Sequence, residues 1–304
     1  MTILHTTLGP RRRDELGLVL PHEHLFVDLR TPDVPGHGEA ESADVVALMA
    51  PRMQEALERG VTAIVECSTG GVGRRVGHDL AVSRATGMPI VVAAGLYREP
   101  WIPAWAREVD DDALEEHVRQ ELTQGIDGTD VVAAWVKLSA GDDGMTTLEE
   151  RVLRASARAA RKIGALIGSH TVAGRVVLDQ LAVLSEEDFP LERFLWIHTQ
   201  VEQDQALHRE VAERGAWIEY DHLGTVPTAD VVGLVDGVLE AGHERRLLLS
   251  HDAGWYDPAL PGGGSPRPWT ALTDDVLPAL RERGVPEHTI RSLTVDNPFD
   301  AFAR

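Results

Sequence analysis

The sequence predicts an α/β fold, a single-domain (β/α)8 or TIM barrel spanning residues 1–304, on three observations. Short apolar runs of strand length recur eight times, longer amphipathic segments separate them, and polar residues collect where the runs end. Such an alternation of strand and helix implies a parallel sheet that closes on itself. An open doubly wound sheet is the rival reading, but no G-x-G-x-x-G fingerprint follows the first strand to support it.

In order, the runs are "LGLVL" 16–20, "VTAIVEC" 61–67, "IVVAAG" 90–95, "VVAAWVKL" 131–138, "IGALIGSH" 163–170, "RFLWIH" 193–198, "AWIEYD" 216–221 and "RLLLSHD" 246–252. Helical patterns lie between them, such as "ADVVALMAPRMQEALERG" 43–60, "DALEEHVRQELTQG" 112–125 and "TLEERVLRASARAARKIG" 147–164. Their acidic or Thr starts and Gly stops sit where helix caps belong. "GGVGRR" 70–75 is Gly-rich, but it follows the second strand with the wrong spacing for a nucleotide fingerprint, and it reads as a flexible βα loop. "DPALPGGGSPRPW" 257–269 follows the eighth strand, where a barrel enzyme carries a substrate loop; by composition a plain solvent loop is equally compatible.

Composition narrows the class. Lys and Arg total 29 against 49 Asp and Glu, and the formal charge of −20 would repel both a phosphate backbone and an anionic membrane. The expected partner is a small molecule, with no nucleic acid and no membrane. One cysteine, Cys67, leaves no intramolecular disulfide, and "MTILHTTLGPRRRDELG" lacks the apolar core of a signal peptide, so the expected location is cytoplasmic. No stretch approaches the roughly 18 apolar residues of a membrane span.

In a closed barrel the C-terminal strand ends converge on one mouth. Those ends carry His22 and His24, Glu66, Tyr97, Lys137, His170, His198, Asp221 with His222, and His251 with Asp252. His22 and His24 are one residue apart, so on an extended segment both face one way while Glu23 faces the other. That arrangement suits a chelate. A lone histidine at a strand end is more often a hydrogen-bonded core or rim residue, but four at the ends of strands one, five and six are not scattered.

Lys137 ends an otherwise apolar run, so its ammonium is delivered to the interior, where an unpaired charge is costly. A depressed pKa would leave a Schiff-base nucleophile; reaction with carbon dioxide would make an anionic carbamate able to bridge two divalent metals. A lysine that snorkels or pairs with an acid is the bland alternative. Asp252, in "LLLSHDAGW", could bind metal and accept a proton, or simply form an Asx turn before Gly254.

The ordered set "HEH" after strand one, "VK" on four, "SH" on five, "IH" on six and "SHD" on eight resembles the phosphotriesterase family of the amidohydrolase superfamily. The likeness extends through "ERGAWIEYDHLG" and the tail "LPALRERGVPEHTIRSLTVDNPFDAF", and so covers nearly the whole chain. It implies a (β/α)8 barrel with a binuclear metal centre and a metal-bridging hydroxide. By position, it implies that His22, His24 and Asp252 bind one ion, that His170 and His198 bind the other, and that carboxylated Lys137 bridges them. Two ions about 3.5 to 4 Å apart polarise a carbonyl or phosphoryl oxygen. Zinc is the expected metal, and the ligand types also admit manganese, cobalt or iron.

The resemblance gives His222 the place of a proton-relay histidine beside catalytic Asp252, but Val201 falls where the relay's second carboxylate is expected, leaving Glu202 or Asp204 as substitutes. Tyr97, in "GLYREPW", matches a pocket tyrosine of lactonase-like members. Arg98 could bind an anionic substrate group or pair with a nearby acid. Trp101, Trp105, Trp255 and Trp269, among seven tryptophans, fall in the loops after strands three and eight and suggest an aromatic-walled cleft, with Trp101 and Trp255 as substrate contacts.

The leading expectation is a metal-dependent hydrolase of a lactone or other carboxylic ester. Amide or organophosphate triester hydrolysis is the alternative, because fold and metal centre do not separate these chemistries. A non-catalytic ligand-binding barrel leaves the intact ligand set without a purpose, and a metal-free Schiff-base lyase leaves the histidines without one. A homodimer is a further implication of the resemblance.

Overall fold

Alternation along the strands sorts side chains into two apolar layers, because successive residues of a strand face opposite sides of the sheet. In the computed structural model, which describes residues 2–304, Ile218, Leu247, Leu249 and Val136 join one layer beneath the helices, while Trp217, Leu248, Trp135, Leu195 and Ile197 join a second inside the sheet. Leu4, Phe299 and Phe302 belong to the inner layer, and Phe302 meets Trp135 edge-on at 5.1 Å between ring centroids. Lys137 has the parity of Trp135, so the strand that buries the tryptophan also turns the lysine inward.

The strands are β1 Leu18–Phe26, β2 Val61–Glu66, β3 Ile90–Val91, β4 Ala93–Ala94, β5 Trp135–Ser139, β6 Ile167–His170, β7 Phe194–Ile197, β8 Trp217–Tyr220, β9 Leu247–Leu249 and β10 Gly254–Tyr256. All pairings are parallel, in the orders β10-β1-β2-β3 and β4-β5-β6-β7-β8-β9. One residue, Val92, separates β3 from β4 and so joins the two sheets along the chain. At the other end, Asp252 N–H donates to His22 O at 3.1 Å and His24 N–H to Ala253 O at 2.8 Å, bringing the chain leaving β9 alongside β1.

Helices α1 Ser42–Glu58, α2 Val76–Thr86, α3 Ala104–Glu108, α4 Asp111–Thr123, α5 Thr147–Ile163, α6 Gly174–Glu186, α7 Gln205–Glu213 and α8 Thr228–Glu240 alternate with the strands. Helix α5 begins on a reciprocal cap, Thr146 Oγ1 accepting from Glu149 N–H while the Glu149 carboxylate accepts from Thr146 N–H, and it stops at left-handed Gly164. No helix among the described residues is long and apolar enough to cross a membrane.

Three strand boundaries differ from the apolar runs by four residues or more. β1 runs on to Phe26, so His22 and His24 lie within the strand; its pairing with β10 extends it. β5 starts at Trp135 because Ala133 N–H and Val131 C=O are bonded to Glu121 and Ile126 beside α4. β6 starts at Ile167 because α5 takes Ile163 and its cap takes Gly164.

"GGVGRR" is the βα loop after β2, and it is closely packed. A Cβ at Gly71 would stand 2.0 Å from Trp101 O and one at Gly73 2.6 Å from Asp28 N, so both glycines are needed for close approach. Arg74, beside them, is buried in an ion pair with Glu121.

Candidate metal centre

One strand end after another delivers a polar group to a single cavity of about 140 Å3, lined by His22, His24, Cys67, Tyr97, Lys137, His170, His198, Asp252 and Trp255 together with the apolar Val27, Leu29 and Val72. Its polar groups form two sets.

In the first set, His24 Nε2 lies 3.1 Å and His22 Nε2 3.6 Å from Asp252 Oδ1. Neither His22 Nε2 nor Asp252 Oδ1 has a hydrogen-bond partner among the described residues, although both atoms are buried. Orphaned buried polar atoms are costly unless something else satisfies them. Two nitrogens and a carboxylate oxygen converging in this way fit a divalent cation.

In the second set, His198 Nε2 stands 2.7 Å from His170 Nδ1, and Tyr97 OH lies 3.1 Å from that same His170 nitrogen. Lys137 is 2 % exposed at the floor, and among the described residues no carboxylate lies within 4.0 Å of its ammonium. An unpaired buried cation is the condition under which an amine gains most by becoming an anion that ligates metal.

The groups behind these residues fix ring orientation. His22 Nδ1 faces Glu219 Oε2 at 2.9 Å and Asp221 Oδ2 at 3.2 Å, and His198 Nδ1–H donates to Asp221 Oδ1 at 2.8 Å. Donation from Nδ1 leaves Nε2 with its lone pair toward the cavity. His24 Nδ1 is bonded to Ser68 Oγ at 2.9 Å. Glu23, turned away, receives Ala253 N–H at 3.1 Å and the Nδ1 of His251 at 2.5 Å, tying β1 to the segment that carries Asp252. His198 and Asp252 both hold left-handed backbones, with φ of 65° and 49°. Strain of that kind persists where surrounding structure over-determines it, often at functional sites.

The electrostatics follow from burial and neighbours. Burial, reinforced by the Lys137 charge, lowers the His22 imidazole to about 3, so it is neutral and able to ligate. Burial opposes a charge on His24 as well, but the neighbouring carboxylates of Asp252 and Glu66 carry it up to about 9. For Asp252 burial works upward, yet His24 and His22 bring it down to about 2. Burial lifts the Tyr97 phenol to about 12 and, with His198 and Lys137, depresses His170 well below its usual range.

The chain matches the model of the phosphotriesterase family over residues 2–302. It belongs to that family. A phosphotriesterase homology protein from Mycobacterium tuberculosis is 33% identical, with 100% of this chain and 98% of the relative covered. Among solved structures, a lactonase from Listeria monocytogenes superposes with a TM-score of 0.86 at 25% identity, covering 99% of this chain and 98% of its own. A mutant of organophosphorus hydrolase from Deinococcus radiodurans superposes with a TM-score of 0.87 at 30% identity, covering 98% and 97%. This phosphotriesterase-family chain is therefore a hydrolase with the TIM-barrel fold of its neighbours, and its family depends on a binuclear metal centre.

Not every site residue named from the phosphotriesterase-family pattern reaches the cavity. His222 is at the rim, its Nε2 3.8 Å from Asp221 Oδ1, and it can share a cation-sized space with His198 and Asp252. The substitute relay carboxylates are engaged elsewhere: Glu202 accepts from Gly174 N–H at 2.9 Å, and Asp204 caps α7. Arg98 is bonded to Asp142 Oδ1 at 2.7 Å and Ala140 O at 3.1 Å, and it is not part of the cavity wall. Trp101 donates to Leu29 O at 2.8 Å and packs behind Tyr97. Trp105 lies against His117 and Trp269 is buried in the core, so of the four tryptophans Trp255 alone lines the cavity.

Asp28 accepts from Arg30 and from Gly38 N–H and thereby folds the first loop. Sequence reasoning gave no role to Glu219, Asp221, Gln200 or Ser68. For the first two a signal existed: Trp217, Glu219 and Asp221 share one strand parity, and Trp217 faces the interior.

Proposed function

We propose that this chain is a binuclear-metal hydrolase of lactones or other compact carboxylic esters. The observation that carries the reading is the pair of buried, unpartnered atoms His22 Nε2 and Asp252 Oδ1, opposite converging His170 and His198. His22, His24 and Asp252 would hold one ion, His170 and His198 the other, and carboxylated Lys137 both. When bound, such ions polarise the substrate's carbonyl oxygen and acidify water.

The chain's own residues supply the rest. Asp252 takes the proton released as the ester is attacked; with its second carboxylate missing, the relay beyond it is His222 to solvent. Tyr97 reaches the same side as His170 with its hydroxyl and is placed to donate to a substrate oxygen. Val27, Leu29, Val72 and Trp255 form an apolar wall that excludes water and accepts hydrocarbon. A cavity of about 140 Å3 fits a small ring with its tail at the mouth better than a phosphorus centre carrying three ester arms. Zinc is the proposed metal; N-acyl amides and aryl phosphotriesters are the competing substrates.

The test is a screen of metal-reconstituted protein against lactones, N-acyl amides and aryl phosphotriesters, with metal content measured and Tyr97→Phe run in parallel. About two divalent ions per chain and highest kcat/KM on lactones, reduced in Tyr97→Phe, support the reading. A metal-free enzyme trapped by borohydride, or a preference for phosphotriesters indifferent to Tyr97, refutes it.

A further inference from the structure

We propose that Asp221 is a positioning residue that couples the two halves of the metal centre, so that loading one half prepares the other. The inference rests on the binuclear reading above. Asp221 is fully buried: its Oδ1 accepts from His198 Nδ1–H at 2.8 Å and Gln200 Nε2–H at 2.7 Å, its Oδ2 accepts from His198 backbone N–H at 3.0 Å, and Oδ2 also faces His22 Nδ1 at 3.2 Å, whose nearer acceptor is Glu219 Oε2 at 2.9 Å. Three of these partners donate to Asp221 and the His22 N–H is shared with Glu219, a set that only a carboxylate receives on both oxygens. His22 and His198 come from opposite halves of the predicted ligand set, on β1 and just past β7, and their ring centroids are 5.3 Å apart. One anion therefore sets the ring angle and tautomer of His198 in one half and, together with Glu219, those of His22 in the other.

The coupling follows from that sharing. Fixing His198 on a cation holds its Nδ1–H against Oδ1, which fixes the carboxylate plane and places Oδ2 for His22. The reverse holds by thermodynamic linkage. Glu219 provides a contrast: its Oε2 takes His22 Nδ1 at 2.9 Å and it makes no bond to His198 among the described residues. Its one direct hydrogen bond to the ligand set is to the half that holds His22. Gln200 buttresses Asp221 from outside, donating from its amide and accepting Asp221 N–H at 3.2 Å.

Chelated full-length protein, with bicarbonate present, is titrated with Zn2+ against a chromophoric competitor for the wild type, Asp221→Asn, Glu219→Gln and Gln200→Ala. The readout is the isotherm, not turnover, and unfolding of each chelated variant is followed in parallel. In Asp221→Asn the amide's NH2 meets donors on one side, so both steps weaken, by about 10–100-fold each, and the wild type's joint uptake separates into two steps. Glu219→Gln weakens a single step. Gln200→Ala weakens both steps more mildly and answers the question if Asp221→Asn does not fold.

An Asp221→Asn isotherm superimposable on the wild type overturns the proposal, as does weakening of one step alone in the manner of Glu219→Gln. If Asp221→Asn does not fold, an unchanged Gln200→Ala isotherm overturns it. A wild type that takes up fewer than two ions removes the binuclear reading itself, which is a different result.

Discussion

Replacing Lys137 with methionine separates two accounts of a buried amine, because they predict opposite signs in the same experiment. The side chain is 2 % exposed, with no carboxylate within 4.0 Å among the described residues. If it served only as a buried cation, an apolar residue of similar length would be neutral or stabilising by about 1–4 kcal/mol. If it is the carbamate that joins two ions, the substitution removes their contribution to the folded state. Each ion present at about 100 times its dissociation constant contributes about 2.7 kcal/mol, so two contribute roughly 5. At about 2 °C per kcal/mol for a chain of this size, the loss is roughly 10 °C in Tm.

The assay is therefore a pair of melts, with saturating Zn2+ and with chelator, together with metal analysis. The wild type is expected to gain roughly 10 °C on metal addition, estimated from that linkage. Lys137→Met should gain little, and in chelator it should melt at or above the wild type. A variant that keeps two ions and the full metal-dependent gain refutes the bridging role outright. Loss of stability in chelator alone would show instead that Lys137 packs or pairs in the ion-free fold.

Three further outcomes are expected. Asp252→Asn should leave a folded barrel with kcat lower by about 10²–10⁴-fold on the favoured ester, measured at saturating metal; wild-type kcat removes Asp252 from proton transfer. Gly254→Ala places a Cβ 2.1 Å from His24 O at a residue with φ of 94°, so the β1–β10 pairing must open, and thermal melts should show both lower stability and weaker metal dependence. Finally, burial raises the Glu121 carboxyl but the Arg74 guanidinium outweighs it and holds the group below its usual range. Because the folded value is depressed, the pair's stabilisation is present above the unfolded carboxyl's pKa and is lost as pH falls through the folded one. Glu121→Gln should cost about 3–5 kcal/mol at pH 7 by stranding buried Arg74, and flatten the acid limb of Tm against pH; an unchanged limb contradicts the assignment.

Where sequence and structure agree, the reason is local. The Thr146 cap, the Gly164 stop and the parity of Trp135 and Lys137 depend on neighbours within one turn or one pleat, and a reader of the chain can reconstruct them. Where they part, a distant partner decides. β1 outruns its apolar stretch because β10 pairs with it; "GGVGRR" is closely packed because Trp101 and Asp28 lie against its glycines; Arg98 is tied to Asp142 in another loop. Trp269 shows the same limit, since no feature of "SPRPW" tells that the ring is buried against Gly254 rather than standing in a cleft.

The site divides along the same line. Residues whose chemistry points into the cavity stood out in the sequence, because a histidine or lysine at the end of an apolar run is conspicuous in its own segment. The carboxylates behind them carry no such mark of their role: Asp221 is visible as a strand-end residue and Glu219 is not, although "WIEYD" places both on the interior face by simple alternation with Trp217. Two acids on an inward face are costly unless cations or donors meet them, so their presence is itself a statement about what fills the barrel. His22 and His198 supply those donors from Nδ1, and the same contacts turn both Nε2 atoms toward the cavity. The inward acids and the unpartnered ligand atoms are thus two sides of one arrangement: the orientation that satisfies Asp221 is the orientation that leaves the histidines able to take a metal.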